Sequence, residues 1–262
     1  MSTLTRPFRI VESELVAYRR TWRGTVISSF VNPVLFLSAM GVGLGSLVDT
    51  TDNDLAIPYL AFVATGLLAA NAMQNGAGDG AFPVMAGIKW RKDFHGAITT
   101  PIGPGDIVLG RFYWGAIRLT FMLGVFAVIS VLFGALDIGP ALLAVPPGVL
   151  TGLAFQTVVT AFTVTREDET SLSTMFRFGI IPLFLFSGTF FPISQLPDFL
   201  QRLAYVTPLF HGVELVRKIA LPDVDASVVT SIPIWVHLLY LGAMTAIGIV
   251  LSSRFLSRRL RP

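Results

Sequence analysis

No cysteine occurs anywhere in the chain. Disulfide bridges, thiolate metal sites and cysteine nucleophiles are therefore excluded. Histidine is almost as scarce: His95, His211 and His237 stand far apart and offer no H-E-x-x-H or similar metal-ligand spacing. Charged residues make up only 13% of the chain, where a soluble domain carries about 25%. The lysines follow Ile88, Arg91 and Arg217, so there is no Gly-Lys pair. A phosphate-cradling loop needs lysine directly after glycine, and ATP binding by this chain is not expected. Basic residues interleaved with aromatics on a soluble fold, the mark of nucleic-acid binding, are also missing. No catalytic group, metal or cofactor is predicted.

What is present is apolar. Hydrophobic residues make up 53% of the 262, and the mean hydropathy is +0.70. The expectation is an all-α membrane protein with six transmembrane helices, at about 25–47, 57–73, 107–136, 142–162, 172–191 and 232–251. Residues 1–24 read as an interfacial amphipathic helix. In it Phe8, Val11, Leu15, Tyr18 and Trp22 form one stripe, and Arg9, Glu12, Arg19, Arg20 and Arg23 fill much of the rest. Asn32-Pro33 is expected to kink the first span, and residues 49–54 form a short acidic loop. Asn71, Gln74 and Asn75 end the second span and suit a protein-facing surface better than lipid.

Residues 76–106 form the longest polar interval between spans. Its centre predicts a short amphipathic helix over 88–98, with Pro101 and Pro104 ending it. Trp90 and Phe94, four apart, would share a face beside Lys89, Arg91, Lys92, Asp93 and His95. Two readings stay open: a docking knob for a soluble partner, or a basic loop drawn to anionic lipid. In the third span Arg118 lies seven residues past Arg111, on the same face. It either snorkels to the interface, pairs with another helix or marks a polar spot on a transport path. Gly148 and Gly152 offer a small-residue face for close helix packing, and Arg166–Glu169 reads as a solvated turn.

The stretch from Phe184 to Lys218 breaks the pattern. Ser187-Gly188 loosens a membrane helix and Pro192 stops it. Two segments, 195–205 and 209–218, then show helical amphipathicity but are too short to cross a core that needs about 20 residues. They predict two re-entrant helices within 193–220, dipping into one leaflet. His211, Glu214 and Arg217, three apart, form a polar helix face there. A membrane-embedded transferase would need such a cluster, whereas a structural ion-paired face needs only packing. A secondary transporter would show inverted repeats, and none is evident.

Six spans place both ends of the sequence on one side. The first helix, the 76–106 interval, the 163–177 turn and the tail carry most of the lysine and arginine. The opposite loops hold only Arg202, Arg217 and Lys218. The basic side is then cytoplasmic, in a cell membrane, and the re-entrant helices sit in the outer leaflet.

SGTFFPISQLPDFLQRLAYVTPLFHGVELVR at 187–217, with GDIVLGR at 105–111 and TGLAF at 151–155, resembles the ABC-2-type transporter permeases, in particular the lipo-oligosaccharide (nodulation-factor) and daunorubicin-type drug exporters. The resemblance implies a permease subunit paired with a second copy or a paralogue, and two ABC ATPase subunits that hold ATP and Mg. It implies that a coupling helix from the 76–106 loop, with Lys89, Trp90, Arg91, Phe94 and His95, docks on the ATPase. It further implies that Phe190, Phe191 and Pro192, with His211 and Glu214 in the same re-entrant region, belong to an external gate. The cargo implied is an amphipathic drug, lipid or lipid-linked glycan.

Overall fold

The computed structural model describes residues 5–44, 57–221 and 228–260. The regular elements among them are all helical. In chain order they are α1 (Arg6–Phe36), α2 (Tyr59–Met85), α3 (Asp93–Ala97), α4 (Pro104–Leu132), α5 (Ile138–Leu143), α6 (Val145–Val164), α7 (Thr170–Phe186), α8 (Asp198–Val206), α9 (Pro208–Ala220) and α10 (Ile234–Leu260). Wider π-type turns extend α1 over Leu37–Leu44 and α2 over Ala86–Trp90, and interrupt α7 over Phe176–Ile180. The first two lie just after an internal proline, Pro33 and Pro83. A missing N–H and a bulky ring disturb the i→i−4 ladder and favour such turns.

Three helical stretches among the described residues are long and apolar enough to cross a membrane: Pro104–Leu132, Ile138–Val164 and Ile234–Leu260. Ser29–Met40 and Thr170–Phe186 are apolar but shorter. In α2 the amides Asn71, Gln74 and Asn75 dilute the apolar run. The expected acidic loop at 49–54 lies outside the described residues.

The core is α6, which carries no charge and is buried along nearly its whole length. Its threonines survive there because Thr151, Thr157, Thr160 and Thr163 each donate to the carbonyl one turn back. α2 packs on one side of α6 and α10 on another, while α1 lies along α4.

Two expectations change. The second span does not end near residue 73, because α2 runs on through Met85. Gly76, Gly78 and Gly80 make that stretch look like a loop, since glycine disfavours helix by about 1 kcal/mol each. Packing overrides this. A Cβ on Gly76 would collide with the carbonyl of Gly152 in α6, so the two backbones touch. The first helix also does not lie apart from the first span, because α1 is continuous from Arg6 to Phe36. Its contact face is Pro7, Ile10, Glu14 and Tyr18, while Leu15 and Trp22 point outward. Ile10 fills the notch left by Gly110 of α4, Phe8 stacks on Tyr113 at 5.5 Å and Tyr18 meets Trp114 edge-on at 5.4 Å.

The bundle therefore has two ends. The ends of α2, α6 and α10 and the starts of α1 and α4 meet at the basic end, around Val84, Ile88, Phe94, Ile107, Val164 and Leu256. The opposite end carries the start of α2, the end of α7, α8 and α9.

Candidate functional site

At the basic end α2 and its extension stop at Trp90. Lys92 then adopts a left-handed backbone, φ 58°, before α3 begins. That costs a non-glycine residue about 1–2 kcal/mol, and it divides the predicted 88–98 helix in two. Trp90 and Phe94 consequently do not share a helical face. Phe94 turns inward, 6% exposed, onto Gly87, where an added Cβ would lie 2.6 Å from its ring. It is an anchor of the interior cluster rather than a docking surface, and its burial contributes about 1.5–3 kcal/mol. Trp90, Arg91, Lys92 and His95 form an exposed knuckle. The knuckle is braced from behind. Lys89 Nζ donates to the Glu167 carbonyl at 2.9 Å, and Trp90 Nε1 donates to Glu169 at 3.1 Å. Arg91 pairs with Asp93 at 3.0 Å. In the same turn the Ser171 N–H and hydroxyl donate to Asp168, holding its carboxyl below the usual carboxylate range. Arg259 of α10 donates to the carbonyls of Val164 and Arg166, capping the end of α6.

Deeper in, charges pair between helices. Arg118 of α4 pairs with the buried carboxylate of Asp79 in α2. This is a helix-to-helix contact, one of the readings open for Arg118. Arg111, seven residues earlier on α4 and only 5% exposed, pairs with Glu14 of α1 at 2.6 Å. Its second nitrogen donates to the Asp79 carbonyl at 3.0 Å. In an unbroken helix that carbonyl would accept from residue 83, but Pro83 has no N–H to give. Arg111 thus fills a vacancy that the proline creates. Gln156 of α6 donates to the Arg111 carbonyl at 3.1 Å, tying α1, α2, α4 and α6 into one polar network. Asp79 and Glu14 escaped the sequence reading. The available signal was the pair of arginines seven apart in one span, which need acids at matching depth.

At the opposite end α7 stops at Phe186, and Gly188 takes φ 81°, a conformation that glycine alone adopts easily. The chain then folds back over α2. Tyr59 donates its hydroxyl to the Phe190 carbonyl at 3.0 Å, and Phe184 meets Phe190 edge-on at 5.0 Å. Phe190 and Pro192 are buried, and Phe191 is partly buried against the main core. Ser187 and Thr207 share a hydrogen bond of 3.0 Å, linking the break to the start of α9.

The polar residues of α9 do not converge. Three residues turn a helix by about 300°, so His211, Glu214 and Arg217 fan out over roughly 120°. His211 Nδ1 meets His237 Nδ1 of α10 at 2.9 Å and its ring stacks on Tyr240 at 4.0 Å. Glu214 accepts from the N–H and hydroxyl of Thr230 at 2.8 and 2.7 Å, and its ion-pair partner is Lys218, 3.8 Å away, not Arg217. Arg217 is 2% exposed; it donates to the carbonyls of Gly188 at 3.0 Å and Phe62 at 3.3 Å and lies 3.9 Å over the Phe62 ring. It supplies an N–H to the Gly188 carbonyl at the helix break and ties that break to α2. The three side chains therefore turn to three different sets of partners among the described residues.

Residues 8–221 match the family model described as ABC-2 type transporter. The chain is similar to Nodulation protein J of Sinorhizobium fredii, 29% identical over 248 residues that cover 94% of this chain and 90% of that protein. Nodulation protein J of Rhizobium meliloti is 28% identical over 254 residues, covering 94% and 91%. The inner membrane transport permease YadH of Escherichia coli is 21% identical over 220 residues, covering 83% and 84%.

Proposed function

The chain belongs to the ABC-2 type transporter family, and from that premise we propose that it is the membrane subunit of an exporter powered by a separate ATPase. Two ATPase subunits, which hold ATP and Mg, dock on the knuckles of two permease copies, identical or paralogous. The subunit sits in the cell membrane with both termini and the knuckle on the cytoplasmic side, and six crossings enclose α8 and α9 as re-entrant helices in the outer leaflet. The cargo is an amphipathic drug, lipid or lipid-linked glycan, released outward.

The observation that carries this reading is the reach of α2. One helical rod joins the exposed knuckle at Trp90 to Tyr59, whose hydroxyl holds the Phe190 carbonyl. Its roughly 30 residues span about 45 Å, the depth of a bilayer with its headgroups. Near the outer end Phe62 also accepts from Arg217. Force applied to the braced knuckle therefore reaches the break at 187–192 without crossing a flexible joint. For ATP to favour one state, the ATPase must bind the knuckle differently in the two states.

Copurification tests the assignment. A Trp90→Ala/Arg91→Glu double variant, purified from cells, should lose an ATP-hydrolysing subunit that the unaltered chain retains. Equal retention by both would remove the knuckle from the docking role.

A further inference from the structure

The chain has three histidines, and two of them meet. His211 of α9 and His237, in the first turn of α10, hold their Nδ1 atoms 2.9 Å apart. His237 is fully buried and His211 is 6% exposed. A hydrogen bond of that length holds one proton, so one ring donates and the other accepts. His237 Nε2 has no partner among the described residues. An orphaned buried N–H is rarer than an under-satisfied acceptor, which leaves that nitrogen bare. His237 therefore donates from Nδ1, and His211 accepts at Nδ1 and carries its own proton on Nε2.

A further proton has two places to go, and neither suits it. On His237 Nε2 it makes a buried imidazolium whose N–H meets no acceptor, with Lys218 adding a like charge. On His211 Nδ1 it sets two N–H groups face to face. The groups around the pair are otherwise engaged. Lys218 donates to the Ile232 carbonyl and lies 3.8 Å from Glu214, which also accepts from Thr230. Arg217 turns to Gly188 and Phe62. Tyr240 stacks on His211 and donates its hydroxyl to the Val206 carbonyl at the end of α8 at 2.7 Å. The Tyr205 carbonyl of α8 bonds to His211. α5, α6 and α4 beyond Arg118 carry no charge, and the one acid of α2, Asp79, is held by Arg118 at the basic end. The arginines of α10 begin at Arg254, at that same end.

We propose that His211 and His237 form an acid-released clasp between α9 and α10. Its release frees the helix whose Arg217 ties the break at Gly188 to α2. Once apart, each ring is an ordinary histidine that charges below about pH 6.5. The clasp is therefore at full strength above that pH and weakens as pH falls below it. For two independent rings the open population grows about 100-fold from pH 7.5 to 5.5. The clasp stands on its own contacts and does not depend on the exporter reading.

Amide hydrogen exchange in the full chain, held in phosphatidylcholine nanodiscs, tests it. Each rate is divided by the intrinsic exchange rate at that pH, so that only opening of the structure is read. Corrected exchange across α9 should rise about 100-fold from pH 7.5 to 5.5. His237→Gln keeps a side-chain donor and loses one titrating ring, so its rise should shrink to about tenfold. His211→Gln/His237→Gln should show no rise. A flat response in the unaltered chain overturns the clasp. A rise in the double variant as large as in the unaltered chain also overturns it, and assigns the response to another group such as Glu214. Should the double variant fail to fold, His237→Gln alone decides, and a full 100-fold rise there overturns the clasp.

Discussion

Replacing Asp79 with asparagine keeps the size of the side chain and removes its charge. Asp79 is 7% exposed and its partner Arg118 is 25% exposed. Breaking a fully buried ion pair from one side costs about 3–5 kcal/mol, mostly the stranded charge. An arginine at the centre of a span costs about 2.5–3.5 kcal/mol on insertion scales. Arg118 retains some exposure, so screening reduces the cost to about 2–3 kcal/mol. At roughly 2–4 °C per kcal/mol, the melting temperature in detergent should fall by about 4–12 °C. Tryptophan fluorescence reports the transition, since Trp114 lies buried on α4 between the two arginines. Arg118→Gln in the same chain removes the stranded charge. The double variant should then be more stable than additivity predicts, by about 1–2 kcal/mol. If the two single effects add within about 0.5 kcal/mol, Arg118 is not paired with Asp79 and snorkels instead.

Two glycines of α2 should respond oppositely to alanine. Gly76→Ala drives a methyl into the Gly152 carbonyl and should destabilise by about 1–3 kcal/mol. Gly78→Ala meets open space and should stabilise by up to about 1 kcal/mol, and thermal melts of both check the pair. Arg217→Lys retains the charge but replaces a planar fork with a point donor, so it no longer ties the Gly188 carbonyl at the break to the Phe62 carbonyl of α2. That should cost about 1–3 kcal/mol and raise amide exchange around 187–192; unchanged exchange there would remove Arg217 from its role at the break. Phe94→Ala should lower the melting temperature through a cavity cost of about 3–5 kcal/mol. His95→Ala, on the exposed side of the same short helix, should change it by less than about 0.5 kcal/mol.

Much of the architecture is written in local pattern. The break at Ser187–Pro192 and the two short amphipathic helices after it appear close to where composition and proline place them. α4, α6 and α10 coincide with the long apolar runs at 107–136, 142–162 and 232–251. The candidate site is less legible. Trp90, Arg91 and His95 do stand together on an exposed knuckle, but Phe94 does not join them. A single left-handed residue, Lys92, separates two positions that helical spacing would align.

Hydrophobic runs, prolines and the scarcity of charge by themselves made this chain helical and membrane-bound, and marked where its helices falter. These are one-dimensional properties, since a peptide group in hydrocarbon must bond within its own segment. Tertiary structure alone decided that a glycine-rich stretch is helix, that Asp79 answers Arg118 and that Arg111 caps a carbonyl left open by Pro83. Each of those outcomes depends on a neighbour many residues away: Gly152 gives Gly76 a surface to touch, and α4 brings its arginines to the depth of one acid. Local propensity favoured a loop, and packing against α6 together with a buried ion pair outweighed it.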